Sequence, residues 1–367
     1  MIVDAAPLAH LKQHADQRAI PLYTHIDLTW RCDLACVHCY LEERVKHELD
    51  LAELQDVLDQ IAALGGLFML FSGGDIFLRP DALDILRAAT DRGFYVSIIT
   101  HAGHITEEVA EELTTMGVAL IHVSIYSSRA EVHDRITKVP GSLHASLRAI
   151  SWLRRRGIAV EMKCPVFADN EGAELEIPLL AARYDCTFKL DHRIIPALGV
   201  LPPEGLTGHC DSLTHLNLNV DQQIDVVRAA HGQGFTWAHL QRHDLATPVC
   251  KAGRSAVYID PEGNVSPCLV WEQHAGNLRH TDFTELWNHG EVFELARDTT
   301  RKSFYGCATC ENVLFCEICP GKAHKETGHA RGISAQMCRA ATVTRLAFDD
   351  REHDLAIDIA HLLDDAP

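Results

Sequence analysis

The sequence predicts an α/β chain, in which a partial (βα)6 barrel precedes a small cysteine-rich domain with a β-hairpin and short helices. Between Thr24 and Arg193, six strand-like segments alternate with five helical ones. This alternation implies parallel strands joined by helical crossovers. Beyond Leu213, cysteines and short Gly/Pro turns replace the regular periodicity. Six strands fit an incomplete barrel better than a complete eight-stranded one.

Six segments have the length and the apolar or alternating pattern of strands. They are Thr24–Thr29, Leu67–Phe71, Tyr95–Thr100, Ala119–Ile125, Ala159–Val166 and Thr187–Arg193. Five segments between them have helical apolar spacing, and a Gly after most of them is the usual helix terminator. They are Leu51–Leu64, Asp81–Arg92, Thr106–Met116, Leu143–Arg156 and Ala173–Tyr184.

The second half of the chain predicts smaller elements. A hairpin is expected from Ala256–Asp260 and Asn264–Pro267, short helices from Thr281–His289 and Gly290–Arg297, and a last helical stretch from Ala340–Leu363. We therefore expect an N-terminal extension at 1–22, the barrel at 23–219, a linker helix and the cysteine-rich domain at 220–345, and a C-terminal helix at 346–367.

Composition and charge exclude several classes of protein. The formal charge of −18 argues against broad contact with nucleic acid, which needs a basic face. No apolar run has the length of a membrane span, and the N-terminus lacks the features of a secretion signal. We therefore expect a cytoplasmic location. With 47% apolar residues, the chain can bury a large core.

The 13 cysteines are the unusual feature of the composition. In a reducing compartment, cysteines more often bind metal or do chemistry than form disulfides. Three lie close together near the N-terminus and seven lie in the last third of the chain. Cys164, Cys186 and Cys210 stand alone, and we expect Cys164 and Cys186 to be core or barrel residues.

Cys32, Cys36 and Cys39 form a Cx3Cx2C motif directly after the first predicted strand. Three thiolates on one loop can hold three irons of a [4Fe–4S] cluster and leave the fourth iron open to a small ligand. The motif resembles the signature of the radical S-adenosylmethionine (SAM) superfamily, and His38 fills that family's aromatic position. The resemblance implies that the open iron binds SAM, whose cleavage gives a 5′-deoxyadenosyl radical that abstracts hydrogen from a substrate. The alternatives are a structural zinc site and scattered core cysteines.

The second predicted strand ends in Ser72-Gly73-Gly74-Asp75, which resembles the family's GGE motif. The resemblance implies that Gly73, Gly74 and Asp75 hold the SAM amino group. Asp75 replaces Glu, which shortens the reach of the carboxylate by one methylene, and Ile76 replaces the usual Pro.

Four later residues are further candidate SAM contacts. Thr100 begins a turn, Thr100-His101-Ala102-Gly103, where relatives have a TNG-like turn. Resemblance of the stretch 124–142 to peptide-modifying members implies that Ser124 contacts the SAM ribose and Arg135 the SAM carboxylate. Lys163, in the fifth strand, is a weaker candidate.

The seven late cysteines follow a second pattern. They are Cys250, Cys268, Cys307, Cys310, Cys316, Cys319 and Cys338. Their spacing resembles the SPASM domain, an extension of radical SAM enzymes that binds two auxiliary [4Fe–4S] clusters. The departure is a Cx2C spacing at Cys316–Cys319 in place of Cx3C. Two zinc sites in a ribbon-like domain are the alternative.

The resemblance also implies how these thiolates divide. Cys307, Cys310, Cys316 and Cys338 would hold the outer cluster, and Cys250, Cys268 and Cys319 the inner one. The fourth ligand of the inner cluster is left open between Cys210, His243, Asp244 and no protein ligand.

The resemblance implies an oxidoreductase with three [4Fe–4S] clusters and SAM, but it leaves the substrate open. The first hypothesis is a ribosomally made peptide that gains a crosslink or another oxidative modification. The alternative is a small molecule, such as a sugar or aminocyclitol, that is dehydrogenated or epimerised. Leu269 stands where sulfatase-maturating enzymes have Asp, which counts against that role.

We expect a reductant such as flavodoxin or ferredoxin, and no nucleic-acid or membrane partner. No leader-peptide-binding domain is expected before the first strand, so a separate binding protein would deliver a peptide or the barrel would bind it directly.

Overall fold

The computed structural model describes residues 6–41, 47–191, 218–231, 247–304, 306–307 and 309–349. The strands are β1 Tyr23–Thr29, β2 Phe68–Gly73, β3 Tyr95–Thr100, β4 Leu120–Ser124, β5 Ala159–Pro165, β6 Thr187–Asp191, β7 Ala256–Ile259, β8 Asn264–Ser266 and β9 Gly276–Asn277. The helices are α1 Ala6–Arg18, α2 Leu51–Ala63, α3 Ala82–Asp91, α4 Glu107–Met116, α5 Ala130–Thr137, α6 Ser142–Arg155, α7 Ala173–Arg183, α8 Val220–His231, α9 Phe283–His289, α10 Glu291–Asp298, α11 Pro320–Thr327 and α12 Ala335–Asp349.

The strands form one open sheet in the order β6-β5-β4-β3-β2-β1-β7-β8-β9. The six predicted barrel strands are all present, and each pairs in parallel with the next along the chain. Because the right-handed crossovers all turn the same way, their helices cover one face of the sheet. The opposite face, which we call the open face, carries alternate residues of the same strands.

The main core lies between the sheet and the helices. It is built from the buried apolar residues of each strand, such as Ile98, Ile121 and Met162, packed against helix residues such as Leu58 and Ile150. Asp50 caps α2 in a reciprocal arrangement with Glu53, which fixes where that helix begins. These elements match the predicted ones to within one or two residues at most of their ends.

The predicted hairpin belongs to the same sheet as the barrel. Strand β7 pairs in parallel with β1, from Tyr23 opposite Ala256 to Ile26 opposite Ile259, and then turns back as β8. A free edge of β1 would present unpaired N–H and C=O groups, and β7 covers it. The cysteine-rich part of the chain is therefore joined to the barrel by backbone hydrogen bonds.

Some helices have no counterpart in the sequence prediction, namely α1, α5 and α11. The predicted linker helix corresponds to α8, which packs against α12 and β6. The last predicted helical stretch begins five residues early, as α12, and its part beyond Asp349 lies outside the described residues. Within the described ranges, no helix combines the length and the apolar character that a membrane span requires.

Candidate functional site

The loop between β1 and α2 brings three thiols to the carboxyl end of β1. Cys32 and Cys36 are half-buried and Cys39 is exposed, and none forms a disulfide. The loop is held against α5, because Ala35 and Val37 donate backbone N–H groups to the carbonyls of Thr137 and Ile136, each at 3.0 Å. An unpredicted helix thus fixes the position of the predicted motif.

The three thiols share one electrostatic environment. Burial raises the pKa of Cys32 to about 11 and that of Cys36 to about 12, and a charge on Cys39 raises both further. Each thiolate disfavours ionisation of the others, so a cation bound between them would favour ionisation of all three. The donor set therefore fits an iron–sulfur cluster, which takes thiolates as ligands and supplies positive charge.

Aromatic rings line the inner side of this loop. His38 packs edge-on against Tyr126, with ring centroids 4.7 Å apart, and lies 5.0 Å from Phe167. Burial lowers the pKa of His38 to about 4, so the ring is neutral at pH 7. Its Nδ1 is buried without a hydrogen-bond partner in the described structure. His38 therefore serves as an apolar ring, as its place in the motif predicts.

The two glycines of the second motif are required by backbone packing. A Cβ on Gly73 would lie 1.9 Å from the carbonyl oxygen of Thr29, and a Cβ on Gly74 would lie 2.1 Å from that of Arg31. Gly74 and Asp75 donate backbone N–H groups to these same carbonyls, at 2.7 and 2.9 Å. In the structure the glycines bring β2 against the start of the cysteine loop.

Asp75 is fully buried at the centre of a polar cluster. Its Oδ1 accepts the N–H of Phe77 at 3.0 Å, and its Oδ2 accepts the Thr100 hydroxyl at 2.5 Å. His101 Nε2 lies 3.0 Å from both Asp75 Oδ2 and Asp33 Oδ1. Thr100 thus holds the Asp75 carboxylate in place, and the two predicted SAM contacts are bonded to each other.

One mixed group of potential metal ligands lies at the same place within the described residues. A ligand atom of each of Cys32, Asp33 and His101 lies within 4.8 Å of the others. Sulfur, oxygen and nitrogen donors also bind zinc. If this part of the chain held zinc instead of a cluster, these three residues would be the candidate ligands.

Two more of the predicted SAM contacts, Ser124 and Arg135, differ in burial and in position relative to the thiol loop. Ser124 ends β4, is half-buried, and hydrogen-bonds to Tyr126, whose hydroxyl lies 4.0 Å from Cys36 Sγ. Arg135 is exposed on α5 and donates to the carbonyl of Asp169 at 2.9 Å. Ser124 is therefore close to the thiol loop, whereas Arg135 stands at the rim.

Arg79, which the sequence analysis did not single out, closes both ends of the cysteine loop. It is buried, and its Nη1 donates to the carbonyls of Leu28 and Leu49, each at 2.9 Å. Its Nε and Nη2 form a fork with Asp81 at 2.9 and 2.7 Å. Leu28 precedes the three cysteines and Leu49 follows them, so one guanidinium holds the loop at both ends.

Replacing Arg79 with methionine should lower the free energy of unfolding by about 3 kcal/mol, the usual cost of breaking a buried charged network. The two carbonyls and Asp81 would lose their donors. Anaerobic urea unfolding measures the change. The matched control is Arg87→Met, since Arg87 is exposed and its pair with Glu112 spans 3.5 Å, and we expect a change below about 0.5 kcal/mol. Equal effects of the two substitutions would contradict the anchoring role.

His133 on α5 supports the same wall as a neutral ring. It is buried, and its Nδ1 accepts the backbone N–H of Tyr126 at 3.2 Å. Burial lowers the pKa of His133 from 6.5 to about 4. Between the two pKa values, His133 therefore binds a proton in the unfolded chain but not in the folded one.

The consequence is a loss of stability as the pH falls from 6.5 towards 4, because the folded pKa lies below the unfolded one. His133 should account for about 2 kcal/mol of the loss between pH 7 and pH 5. His133→Asn keeps an acceptor near the Tyr126 N–H but does not titrate, so its loss over this interval should be smaller by that amount. Denaturant unfolding at pH 7 and pH 5 measures this loss in both proteins. An equal loss in the wild type and in His133→Asn would refute the assignment to His133.

The structure brings the late cysteines together in two groups. Burial raises the pKa of Cys250 to about 11 and of Cys268 to about 12, and a charge on Cys319 raises both. Cys268 follows β8, and Cys319 caps α11 by accepting the N–H of Lys322 at its sulfur. Three elements distant in sequence thus supply one three-thiol group, which we call the inner group.

The second group, here the outer group, contains Cys307, Cys310, Cys316 and Cys338. Burial raises the pKa of Cys307, Cys316 and Cys338, that of Cys316 to about 11. Charges on other members of the group raise each of these pKa values further. The resemblance implied this division, and the assignment of the seven thiols to two clusters stays a prediction.

Two of the remaining cysteines lie away from these groups. Cys164 is buried on β5, where burial raises its pKa and Asn170 contacts its sulfur at 3.6 Å. Burial also raises the pKa of Cys186, to about 11. Cys210, His243 and Asp244, the candidate fourth ligands of the inner cluster, lie outside the described residues.

Asp27 joins the barrel to the hairpin through a second buried cluster that the sequence analysis missed. Its carboxylate accepts from Ser72 at 2.5 Å, Tyr258 at 2.8 Å and Trp30 at 3.0 Å. Burial acts to raise the pKa of Asp27, but hydrogen bonds and the nearby charge of His25 hold it below its ordinary value. The alternation of His25, Asp27 and Thr29 in β1 is the only sequence signal for this cluster.

Two family profiles match different parts of this chain, one in the barrel and one in the cysteine-rich part. The profile of the radical SAM superfamily matches residues 26–171. The profile of SPASM, an iron–sulfur cluster-binding domain, matches residues 250–311.

Two curated relatives and one solved structure illustrate the similarity. An AdoMet-dependent heme synthase of Methanosarcina barkeri is 27% identical over 326 residues, 82% of this chain and 92% of that protein. A PqqA peptide cyclase of Gluconobacter oxydans is 27% identical over 301 residues, 79% of this chain and 83% of that protein. The structure of Streptococcus suis SuiB bound to the precursor peptide SuiA has a TM-score of 0.65 at 16% identity, covering 92% of this chain and 82% of SuiB. The last similarity concerns the fold.

Proposed function

The chain is a radical SAM enzyme with a SPASM domain, and from that premise we propose that it oxidatively modifies a ribosomally made peptide by abstracting a hydrogen atom. The observation that carries the proposal is the grouping of ten cysteines: three on the loop after β1, three in the inner group and four in the outer group. Three such groups support one SAM-binding cluster and two auxiliary clusters.

The proposed ligands divide between these clusters. Cys32, Cys36 and Cys39 would hold the first, the outer group would hold a complete four-thiolate cluster, and the inner group would hold the third with one position open. When bound, the first cluster and SAM supply a 5′-deoxyadenosyl radical, the species that abstracts the substrate hydrogen.

The chain's own residues prepare the site for that chemistry. The rings of His38, Tyr126 and Phe167 exclude water from one side of the thiol loop. Asp75, held by Thr100, keeps a carboxylate beside the loop, which suits the ammonium group of SAM. Ser124 presents a hydroxyl at the strand end that the resemblance assigns to the ribose.

A peptide is the favoured substrate for two reasons. The described sheet is open, and residues on its face away from the helices are partly exposed from β3 to β6, which offers a surface on which an extended chain can lie. A relative with matching coverage is named as a peptide cyclase. The reductant and a peptide-delivering protein belong to this proposal as partners.

The test has two stages. Anaerobically reconstituted enzyme, reduced with dithionite, should convert SAM to 5′-deoxyadenosine. Co-expression with a short peptide encoded beside the gene should then change the intact mass of the peptide. The inactive control is the enzyme with Cys32, Cys36 and Cys39 replaced by alanine. Formation of 5′-deoxyadenosine with no mass change in any neighbouring peptide would refute the peptide substrate.

A second candidate is a small-molecule substrate, in particular a tetrapyrrole. It is favoured by the heme synthase relative, which matches most of both chains. It predicts that the reduced enzyme, supplied with SAM, converts an iron porphyrin precursor to heme and forms 5′-deoxyadenosine in the reaction. Failure to form heme from such porphyrins would remove this candidate.

A further inference from the structure

The segment 135–160 is basic, in contrast to the acidic chain as a whole. It contains six Arg or Lys residues and no Asp or Glu, whereas the whole chain has a formal charge of −18. The segment runs from the end of α5 through α6 to the start of β5. A local patch of one charge is what electrostatic complementarity to an oppositely charged partner requires.

Four basic residues of this segment share one exposed surface. Lys138 directly follows α5, and His144, Arg148 and Arg155 lie on α6 at spacings of four and seven residues, which place them on one helix face. All four side chains are exposed, and the guanidinium of Arg148 lies over the ring of Trp152, 5.5 Å from its centroid. We call these four residues the basic stripe.

The charges of the basic stripe are not balanced within the protein. None of its four members has an ion pair with a carboxylate of the described residues. The other arginines of α6 and its end differ, because Arg154 pairs with Asp185, and Arg156 pairs with Glu107 and Glu111. These two glutamates of α4 are thus bound to Arg156, which leaves the stripe available to an acidic partner.

The basic stripe begins beside the cysteine loop. Lys138 directly follows Thr137, whose carbonyl accepts the backbone N–H of Ala35 at 3.0 Å. Ala35 lies between Cys32 and Cys36, two of the proposed ligands of the first cluster. A protein that contacts Lys138 would therefore be next to the loop that holds this cluster.

The stripe lies on the outer side of the helix layer. Leu143, Ile150 and Leu153 of α6 are buried in the main core, so the exposed side of α6 faces away from the sheet. The exposed acid of α5, Glu131, is two turns before Lys138. A partner on the stripe would approach the cysteine loop from outside and leave the open face, on which we propose that the substrate lies, unobstructed.

We propose that the basic stripe docks an acidic one-electron carrier protein, which reduces the enzyme through the adjacent cysteine loop. The inference rests on the proposed function, because reductive cleavage of SAM needs an electron from outside. In the transfer the carrier is oxidised by one electron, the cluster proposed at Cys32, Cys36 and Cys39 is reduced by one, and no covalent bond forms. Exposed charges of this kind accelerate encounter and are screened by salt.

The experiment uses the anaerobically reconstituted holoenzyme, with flavodoxin, a small acidic carrier, as the probe. Titration calorimetry gives the Kd of oxidised flavodoxin at low ionic strength. The rate of 5′-deoxyadenosine formation is measured with photoreduced flavodoxin or with dithionite, which needs no docking surface, as the only reductant. The variant is Lys138→Glu with Arg148→Glu. The matched control is Arg18→Glu with Arg183→Glu, an equal change of charge at exposed residues of α1 and α7.

The stripe variant should weaken flavodoxin binding and slow the flavodoxin-driven rate at least about 10-fold. The difference should shrink at high salt, because the Debye length falls from about 10 Å at 0.1 M to about 3 Å at 1 M. The dithionite-driven rate should stay within about 2-fold of the wild type, which shows that the variant is folded and loaded. The control variant should stay within about 2-fold in every measurement.

Unchanged flavodoxin binding in the stripe variant overturns the inference, whether or not the variant loses affinity for another acidic ligand, such as nucleic acid or a substrate peptide. An equal loss in the control variant, or an equal loss with dithionite and with flavodoxin, overturns it as well. If the wild type forms no 5′-deoxyadenosine with dithionite, the proposed radical function fails instead, and the calorimetric measurement still tests the docking surface.

Discussion

Replacing Cys32, Cys36 and Cys39 together with alanine is expected to abolish 5′-deoxyadenosine formation completely. It should also remove about four of the irons bound by the wild-type chain. The physical reason is that these three thiols lie on the loop beside Asp75, and three thiolates on one loop can hold three irons of a cluster. Anaerobic reconstitution, iron analysis and chromatography of the SAM products measure both losses.

The matched control for this variant is Cys186→Ala. Cys186 is also half-buried, but it directly precedes β6, at the amino end of that strand, and belongs to no thiol group in the described structure. It should keep the full iron content and full SAM cleavage. Residual 5′-deoxyadenosine in the triple variant would contradict the assignment of the first cluster.

Replacing Cys307 and Cys316 with alanine should lower the iron content but leave SAM cleavage intact. The outer cluster would lose two of four thiolates, so iron should again fall by about four per chain, while reductive cleavage of SAM continues. Conversion of the substrate should cease, because the proposed auxiliary clusters accept the electron that the substrate radical gives up.

A parallel variant, Cys250 and Cys268 to alanine, tests the division between inner and outer groups. It too should lose about four irons. Combined with the outer variant it should lose about eight, because each group would hold a cluster of its own. If the inner and outer variants each lost about eight irons, the late cysteines would form one interdependent site and the division into two would be wrong.

The barrel strands could be predicted from the sequence because each is a short apolar run between helical segments of clear periodicity. The joining of β7 to β1 could not, since a strand of four residues, Ala256–Ile259, carries no signal for its partner. Helix α5 was missed because Ala130–Thr137 is short and rich in charged residues. It is nevertheless the element to which the cysteine loop is bonded.

Cysteine positions in the site were predictable because cluster binding constrains spacing along the chain. Arg79 and Asp27 depend instead on which strands and loops meet in space, and a lone charged residue has no spacing to detect. The glycines show a further limit. The resemblance assigns them to SAM, which stays a prediction, whereas the close approach that the structure shows is to Thr29 and Arg31 of the chain itself.

The most direct test of the account is the metal content of the anaerobically reconstituted wild-type chain. Iron, acid-labile sulfide and zinc should be determined together, each per mole of protein. Three cluster sites predict about twelve irons with matching sulfide and no stoichiometric zinc. About four irons with two zinc ions would contradict the account, because the inner and outer groups would then be structural zinc sites.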